Sequence, residues 1–228
     1  MSQKPKIIAF SDTHGLHNKL IIPKCDIVIF AGDFSACNKP EEAPEFIDWF
    51  KSLPARWKIF TPGNHDLICD MNYNLNDYLK WTNYVEGKGI MCLGGERYFT
   101  KETGVIDLDG LRIYGSPYTP TFMNWAFMKD RGESIKREWD KIPKKLDILI
   151  THGPPYGILD QIFDKAEYVS IGCEELKLAV EKVRPKIHLF GHIHNGYGFE
   201  QNEFTKFYNV SVCNEGYFLK NPITEIDI

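Results

Sequence analysis

The chain has 228 residues, of which 43% are hydrophobic and 25% charged, so it can bury a substantial core as ordinary globular proteins do. Its net charge of -4 lacks the basic excess of a duplex-binding protein, and we expect no duplex nucleic acid partner. No apolar run approaches the roughly 20 residues of a membrane helix, and neither a signal core nor a C-x-x-C pair occurs. We therefore expect a cytoplasmic protein with reduced cysteines and no membrane partner.

In chain order, apolar runs alternate with helical spacing over the first part of the sequence. The pattern predicts strands at residues 6–10, 26–30 and 57–60, and helices at 45–53 and 74–81. From residue 89 to 117 the pattern changes, because Asp109-Gly110 stands between two strand-like runs and Asp-Gly is a strong hairpin signal. This middle region is predicted to be antiparallel.

The second half continues the alternation. It predicts a helix at 133–141, a strand at 147–150, a helix at 173–183 that ends before Pro185, and a strand at 187–190. Residues 207–212 and 223–228 are again strand-like. Buried strands separated by helices favour an α/β fold. We expect two mixed β-sheets packed face to face with helices on the outside, in a single domain over residues 1–228.

Five of the strand-like runs end in polar loops whose side chains are typical metal ligands. Ligands of open α/β folds bind beyond the carboxyl ends of the strands, so these loops are expected to converge. Five of the 7 histidines lie in them, while His17 is expected at the surface and His188 in the core. The loops are Asp12-Thr13-His14, Gly32-Asp33, Gly63-Asn64-His65-Asp66, Thr151-His152-Gly153 and Gly191-His192-Ile193-His194.

The loop side chains predict a transition-metal site. Mixed carboxylate and imidazole ligands suit zinc, iron, manganese or nickel better than calcium, which prefers oxygen alone. They outnumber the ligands of one tetrahedral zinc and suit two ions that share a carboxylate. Asp33 is the natural bridge, since it is the lone carboxylate of its loop.

Taken together, "DTH", "GD", "GNHD", "THGPP" and "GHIH", in this order, resemble the motifs of the calcineurin-like metallophosphoesterase superfamily. The resemblance runs from residue 6 to the tail. Stretches such as "GSPYTPTFMNWAF", "DILITHGPP" and "NPITEIDI" are similar to the metallophosphoesterase-domain-containing phosphodiesterases. Some members of that group lose the first histidine of "GHxH", whereas this chain keeps it as His192.

The resemblance implies two metal ions, with manganese the first choice and iron, zinc, nickel or cobalt as alternatives. The first ion would be held by Asp12, His14 and His194, the second by Asn64, His152 and His192, with Asp33 bridging them. His65 would face the phosphate and act as general acid, and Asp66 would orient His65.

The activity that the resemblance implies is hydrolysis of a small phosphodiester, most simply a 2′,3′- or 3′,5′-cyclic nucleotide. A hydroxide that bridges the ions would attack in line with the leaving oxygen. Two alternatives stay open: a non-catalytic or weakly active scaffold that binds nucleotide and metal, and a phosphomonoesterase on the same fold.

Four further side chains are candidate substrate contacts. Phe34 and Asn195 each directly follow a ligand loop, and Tyr197 could stack on a nucleobase or simply pack. Arg131 belongs to residues 124–134, which are aromatic and then basic. That stretch is either a surface loop or a wall of the substrate pocket, with Arg131 reaching a phosphate.

Overall fold

The computed structural model describes residues 4–36, 41–94 and 104–228. Among the cysteines, Cys25, Cys92, Cys173 and Cys213 are buried free thiols, whereas Cys37 lies outside the described residues. In the ranges that the structure covers, no helix is both long and apolar enough to cross a membrane.

The described chain alternates strands and helices in the order that the sequence predicts, with several short strands that it does not. The strands are β1 (Ile7–Phe10), β2 (Cys25–Phe30), β3 (Ala55–Phe60), β4 (Met91–Cys92), β5 (Val105–Leu108), β6 (Leu111–Ser116), β7 (Thr119–Pro120), β8 (Met128–Lys129), β9 (Ile148–Thr151), β10 (Gln161–Asp164), β11 (Glu167–Ser170), β12 (Ile187–Phe190), β13 (Gly198–Gln201), β14 (Lys206–Asn209) and β15 (Thr224–Ile226). The helices are α1 (Glu42–Ser52), α2 (Leu75–Val85), α3 (Glu133–Trp139) and α4 (Glu174–Val183).

Two larger sheets organise the fold. The first has the order β15-β1-β2-β3-β4, in which β1 to β4 are parallel and β15 is antiparallel to β1. The second has the order β13-β14-β12-β9-β6-β5, with parallel pairs in the middle and an antiparallel pair at each edge. Both sheets are therefore mixed. Parallel strands place their carboxyl ends, and the loops that follow them, at one edge of each sheet.

The sheets pack against each other through aliphatic side chains. Ile29 and Ile59 of the first sheet share a buried cluster with Ile113, Ile150 and Leu189 of the second. Helices α1 and α2 cover the outer face of the first sheet, and α3 and α4 cover that of the second. These four layers confirm the predicted α/β class with helices outside.

The predicted antiparallel middle region is only partly correct. Strands β5 and β6 form the expected hairpin, and Asp109 and Gly110 adopt the positive φ angles of 55° and 91° that a tight turn requires. However, β4 pairs parallel with β3, and β6 pairs parallel with β9. A hairpin signal fixes one pairing and leaves the other edge of each strand undetermined.

The prediction of a surface position for His17 is wrong. Its side chain is buried against the rings of Phe46 and Trp49, with centroids 5.4 and 5.0 Å away. His188 is buried in β12, where Nε2 lies 2.8 Å from the hydroxyl of Thr151.

Candidate metal centre

The five polar loops converge because the ends of the two sheets are joined. After β1, Ser11 donates its amide to the carbonyl of Val210 at 3.0 Å, and its carbonyl accepts from the amide of Val212 at 3.1 Å. This short link ties a central strand of the first sheet to the chain that follows β14 in the second. The loops after β1, β2, β3, β9 and β12 consequently surround one space.

The first group of candidate ligands is Asp12, His14 and His194, whose ligand atoms all lie within 4.8 Å of one another. Nε2 of His194 is 3.4 Å from Oδ1 of Asp12 and 3.2 Å from Nε2 of His14. The other carboxylate oxygen of Asp12 accepts from the hydroxyls of Ser11 and Ser211 at 2.5 and 2.8 Å. Asp12 therefore has one oxygen fixed by hydroxyls and one directed at the imidazoles.

The second group is Asp33, His152 and His192, again with ligand atoms within 4.8 Å of one another. Nε2 of His152 is 3.2 Å from Oδ2 of Asp33 and 2.9 Å from Oδ1 of Asn64. The same Asp33 oxygen lies 4.0 Å from Nε2 of His14. Asp33 thus stands between the two groups, in the position that the sequence suggests for a bridge.

Backbone carbonyls orient three of the imidazoles. The Nδ1 atoms of His14, His152 and His194 lie 3.1, 2.9 and 2.9 Å from the carbonyl oxygens of Ser35, Ala31 and Asn214. A carbonyl can only accept, so each Nδ1 carries a proton and each Nε2 is the nitrogen that faces the centre. Rings held in this way at the outer nitrogen are typical of histidine metal ligands.

The loop backbone is bent sharply at the candidate ligands. Asp12, His14, Asp33 and His192 have positive φ angles of 56°, 42°, 63° and 68°, a conformation that costs non-glycine residues energy and concentrates at functional sites. Gly191 allows the closest approach, because a Cβ atom there would lie 2.1 Å from Oδ2 of Asp12. The bent backbone and Gly191 therefore allow the loops to pack closely around the carboxylates.

The charges of the site are strongly coupled. Burial alone would raise the pKa of the Asp33 carboxyl, but the charges of His152 and His65 outweigh burial and hold it well below its usual range. Burial alone would lower the pKa of His152, yet Asp33 raises it to about 9. Burial, together with the charge of His152, lowers the pKa of His192 to about 3.

These donors fit transition-metal ions. Buried imidazoles whose Nε2 atoms face the centre and two low-pKa carboxylates, Asp12 and Asp33, match the nitrogen and oxygen ligands that such ions prefer. At neutral pH the imidazole of His152 holds a proton that a metal ion must displace. Metal binding at this group is accordingly expected to release protons and to weaken as the pH falls.

His65 lies at the edge of the centre, but Asp66 does not orient it as predicted. Nε2 of His65 is 3.9 Å from Oδ2 of Asp33, and its ring contacts Trp125 with centroids 3.7 Å apart. Burial lowers the pKa of His65, and the charge of Asp33 opposes that change.

Asp66 instead organises the loop that carries Asp33. Its carboxylate accepts the amides of Asp33 and Gly63 at 2.9 and 2.8 Å through one oxygen, and the amide of Ser35 at 3.0 Å through the other. All three hydrogen bonds go to backbone amides, and none joins the Asp66 side chain to His65. Asp66 therefore fixes the loops after β2 and β3 against each other.

A cavity of about 570 Å³ opens above the two groups. Asp33, Asn64, His65, His192 and His194 form its polar floor. Its walls include three aromatic side chains, one aliphatic and one basic: Phe122, Trp125, Tyr217, Ile162 and Arg131.

The structure separates the four candidate substrate contacts. Arg131 lines the cavity, but its guanidinium donates to the carbonyls of Ile171 and Gly172 at 2.8 Å each and pairs with Glu174. It therefore braces the wall, and the expectation that it reaches a phosphate is not supported. Phe34 is 1% exposed and stacks on Phe46 in the core, so it cannot touch a substrate.

Asn195 and Tyr197 line a neighbouring cavity instead of the one above the metal ligands. Asn195 donates to Glu215, which does line the main cavity. The aromatic side chain that packs closest to the first group is Tyr217, whose ring centroid is 4.6 Å from that of His14 and 5.5 Å from that of His194. Sequence reasoning missed Tyr217, because it follows no strand-end motif.

The fold and this centre together define a metal-dependent phosphoesterase. The family model described as "Calcineurin-like phosphoesterase" matches residues 5–196, and the chain belongs to that family. It is 37% identical to "Metallophosphoesterase domain-containing protein 1" of Homo sapiens over 98% of this chain and 71% of that protein.

Two more distant similarities agree with this family. The chain is 27% identical to the "Probable glycerophosphodiester phosphodiesterase GpdQ" of Arcobacter nitrofigilis, over 78% of this chain and 60% of that protein. The crystal structure of TT1561 of Thermus thermophilus aligns with a TM-score of 0.56 at 14% identity, covering 91% of this chain and 89% of that one. At that identity the structural likeness shows the fold alone.

Proposed function

We propose that this enzyme hydrolyses small phosphodiesters, with 2′,3′- or 3′,5′-cyclic nucleotides as the substrate class, and that it uses two metal ions to do so. Manganese is the first candidate metal, and the setting is a single domain over residues 1–228 that acts in the cytoplasm. The proposed ligands are Asp33 and the six side chains that surround it: Asp12, His14 and His194 for one ion, Asn64, His152 and His192 for the other, and Asp33 for both.

The residues that line the cavity support a diester substrate over a monoester. Among the described residues that line it, Arg131 is the one lysine or arginine, and its guanidinium is already engaged by two carbonyls and Glu174. A monoester dianion would need free donors of that kind. A diester carries one charge and a second substituent, which the walls formed by Phe122, Trp125 and Tyr217 can cover.

When bound, divalent ions supply Lewis-acid activation of water and of the phosphate oxygens. The chain's own contribution begins with the apolar walls, which enclose the reacting phosphate and exclude bulk water. His65 lines the cavity beside Asp33 with its ring packed against Trp125, so it can pass a proton to the leaving oxygen. The similarity to a protein named as a glycerophosphodiester phosphodiesterase supports the diester assignment.

The test compares four substrates with the manganese-loaded protein: an aryl diester, an aryl monoester, and the 2′,3′- and 3′,5′-cyclic nucleotides. We expect diester turnover to exceed monoester turnover and to disappear when the metal is chelated. Monoester hydrolysis faster than that of every diester would refute the phosphodiesterase assignment. A protein with two ions bound that hydrolyses none of the four would refute catalysis and leave the scaffold alternative.

The role of His65 is tested with diesters of good and poor leaving groups. His65→Ala is expected to lose about 10²–10⁴-fold in kcat with the poor leaving group and far less with the good one. Lys182→Ala, on the exposed face of α4, is the control and should match the parent with both. Equal losses with both diesters would refute proton donation by His65.

A further inference from the structure

A short strap behind the metal centre, residues Ser35 and Ala36, holds the imidazole of a proposed metal ligand. The carbonyl oxygen of Ser35 lies 3.1 Å from Nδ1 of His14. The strap follows Asp33 by two residues. The orientation of His14 therefore depends on the peptide plane that joins the two residues of the strap.

Helix α1 anchors this strap through its first residue, Glu42. One carboxylate oxygen of Glu42 accepts from the hydroxyl of Ser35 at 2.8 Å and from the amide of Ala36 at 3.0 Å. On the other side, the amide of Ser35 donates to Asp66 at 3.0 Å. The strap is thus clamped between two carboxylates, and the Glu42 carboxylate is the one that bonds both of its residues.

The clamp matters because a carbonyl cannot direct an imidazole unless its own peptide plane is fixed. Bonds to a carboxylate are charge-assisted and roughly twice as strong as neutral ones. If Glu42 is removed, Ser35 and Ala36 each lose one such bond. The peptide plane between them, which carries the Ser35 carbonyl, is then free to turn. Sites of this kind require the side chains that perform the chemistry to stay within about 0.5 Å and 10–20° of the productive geometry.

We propose that Glu42 is a positioning residue that sets the imidazole of His14 through Ser35 and Ala36. This inference rests on the proposed function of His14 as a ligand of one metal ion, and its consequence concerns metal affinity. Glu42 would thereby influence the binding of that ion without being one of its ligands.

The test uses Glu42→Ala and Glu42→Gln with Glu45→Ala as the matched control. Glu45 lies one turn further along α1, is exposed, and bonds the side chain of Asn18 at 2.7 Å. In calorimetric Mn²⁺ titrations of the metal-free proteins, Glu42→Ala is expected to weaken one of the two ions by about 10–100-fold, as loss of a group that orients a metal ligand does. The affected ion should be the one that His194→Ala also weakens.

Two further readouts separate positioning from a general loss of structure. Glu42→Gln keeps one acceptor oxygen and should recover part of the lost affinity for the affected ion. Melting temperatures of all three metal-free variants should stay close together.

The inference is overturned if Glu42→Ala binds both ions like Glu45→Ala. It is also overturned if both ions are weakened equally while the melting temperature collapses, because that pattern means structural loss alone. If the parent protein binds two ions but hydrolyses no diester, the proposed function fails separately. In that case the Mn²⁺ titration still decides whether Glu42 positions His14.

Discussion

Replacing the two histidines of the "GHIH" loop one at a time should remove different ions. His194 belongs to the group of Asp12 and His14, with its Nε2 atom 3.4 and 3.2 Å from their ligand atoms. His192 belongs to the group of Asp33 and His152. We expect His194→Ala to weaken the first ion and His192→Ala to weaken the second, although the two residues are separated in sequence by Ile193 alone.

The size of the effect follows from the number of ligands. Each group has three or four protein donors. Losing a partner that only orients a ligand lowers metal affinity by up to roughly 100-fold. Losing one of the imidazole ligands itself should lower it by at least that factor. With Mn²⁺ at a thousand times its dissociation constant, binding stabilises the folded state by about 4.1 kcal/mol, and a 100-fold weaker site gives about 1.4 kcal/mol. The difference of about 2.7 kcal/mol corresponds to about 5–10 °C in melting temperature for a chain of this size.

The assay is a pair of measurements on each variant, calorimetric titration of the metal-free protein and thermal melting at fixed Mn²⁺. Each variant should retain one ion at close to the parental affinity and lose part of the metal-induced rise in melting temperature. Combining the two substitutions should lower that rise further than either substitution alone. If both single variants lose the same ion, or if each loses both equally, the assignment of these histidines to separate groups is wrong.

Two further predictions concern packing and pH. Gly191→Ala should weaken binding of the first ion and lower the melting temperature, because its Cβ would lie 2.1 Å from Oδ2 of Asp12. The same titration and melt measure both effects. Parental values would contradict the steric argument. His188 tests pH dependence: burial lowers its pKa to about 3, so below its ordinary value of 6.5 the unfolded chain binds a proton that the folded one does not. Its contribution to the free energy of unfolding is therefore complete above pH 6.5 and is lost as the pH falls toward 3. Over that range His188→Leu should flatten the dependence of the unfolding free energy on pH by about 1.4 kcal/mol per pH unit. Urea melts of the chelated protein measure this slope. An unchanged slope would mean that His188 is protonated in the folded state.

Strand periodicity and loop chemistry predict the location of the centre because both are local signals. The runs that end at Asp12, Asp33 and Asn64 are β1, β2 and β3 of one parallel sheet, where chain order and spatial order coincide. Convergence then follows from the rule for open α/β folds. The link from Ser11 to Val210 and Val212 has no such signal, since any residues could form it.

Position directly after a ligand is a weak guide to the substrate pocket. Phe34 follows Asp33 immediately, yet its ring stacks on Phe46 and Trp81 under the loop. Successive side chains in a sharply bent loop diverge, and Asp33 itself has a φ of 63°. Tyr217, far along the chain from every motif, packs against the ring of His14 with a positive φ of 59° that only the folded loop reveals.

The groups that orient the imidazoles are the part of the site that the amino-acid sequence does not predict. The sequence suggests a carboxylate, Asp66, as the partner of His65, but both oxygens of that carboxylate accept backbone amides instead. His14, His152 and His194 depend on carbonyl oxygens. Every residue has a carbonyl, so composition does not distinguish the ones that matter, and what selects them is the fixed orientation of a few peptide planes. Side chains that fix those planes, such as Glu42 at the start of α1, therefore influence the metal centre without carrying any of its chemistry.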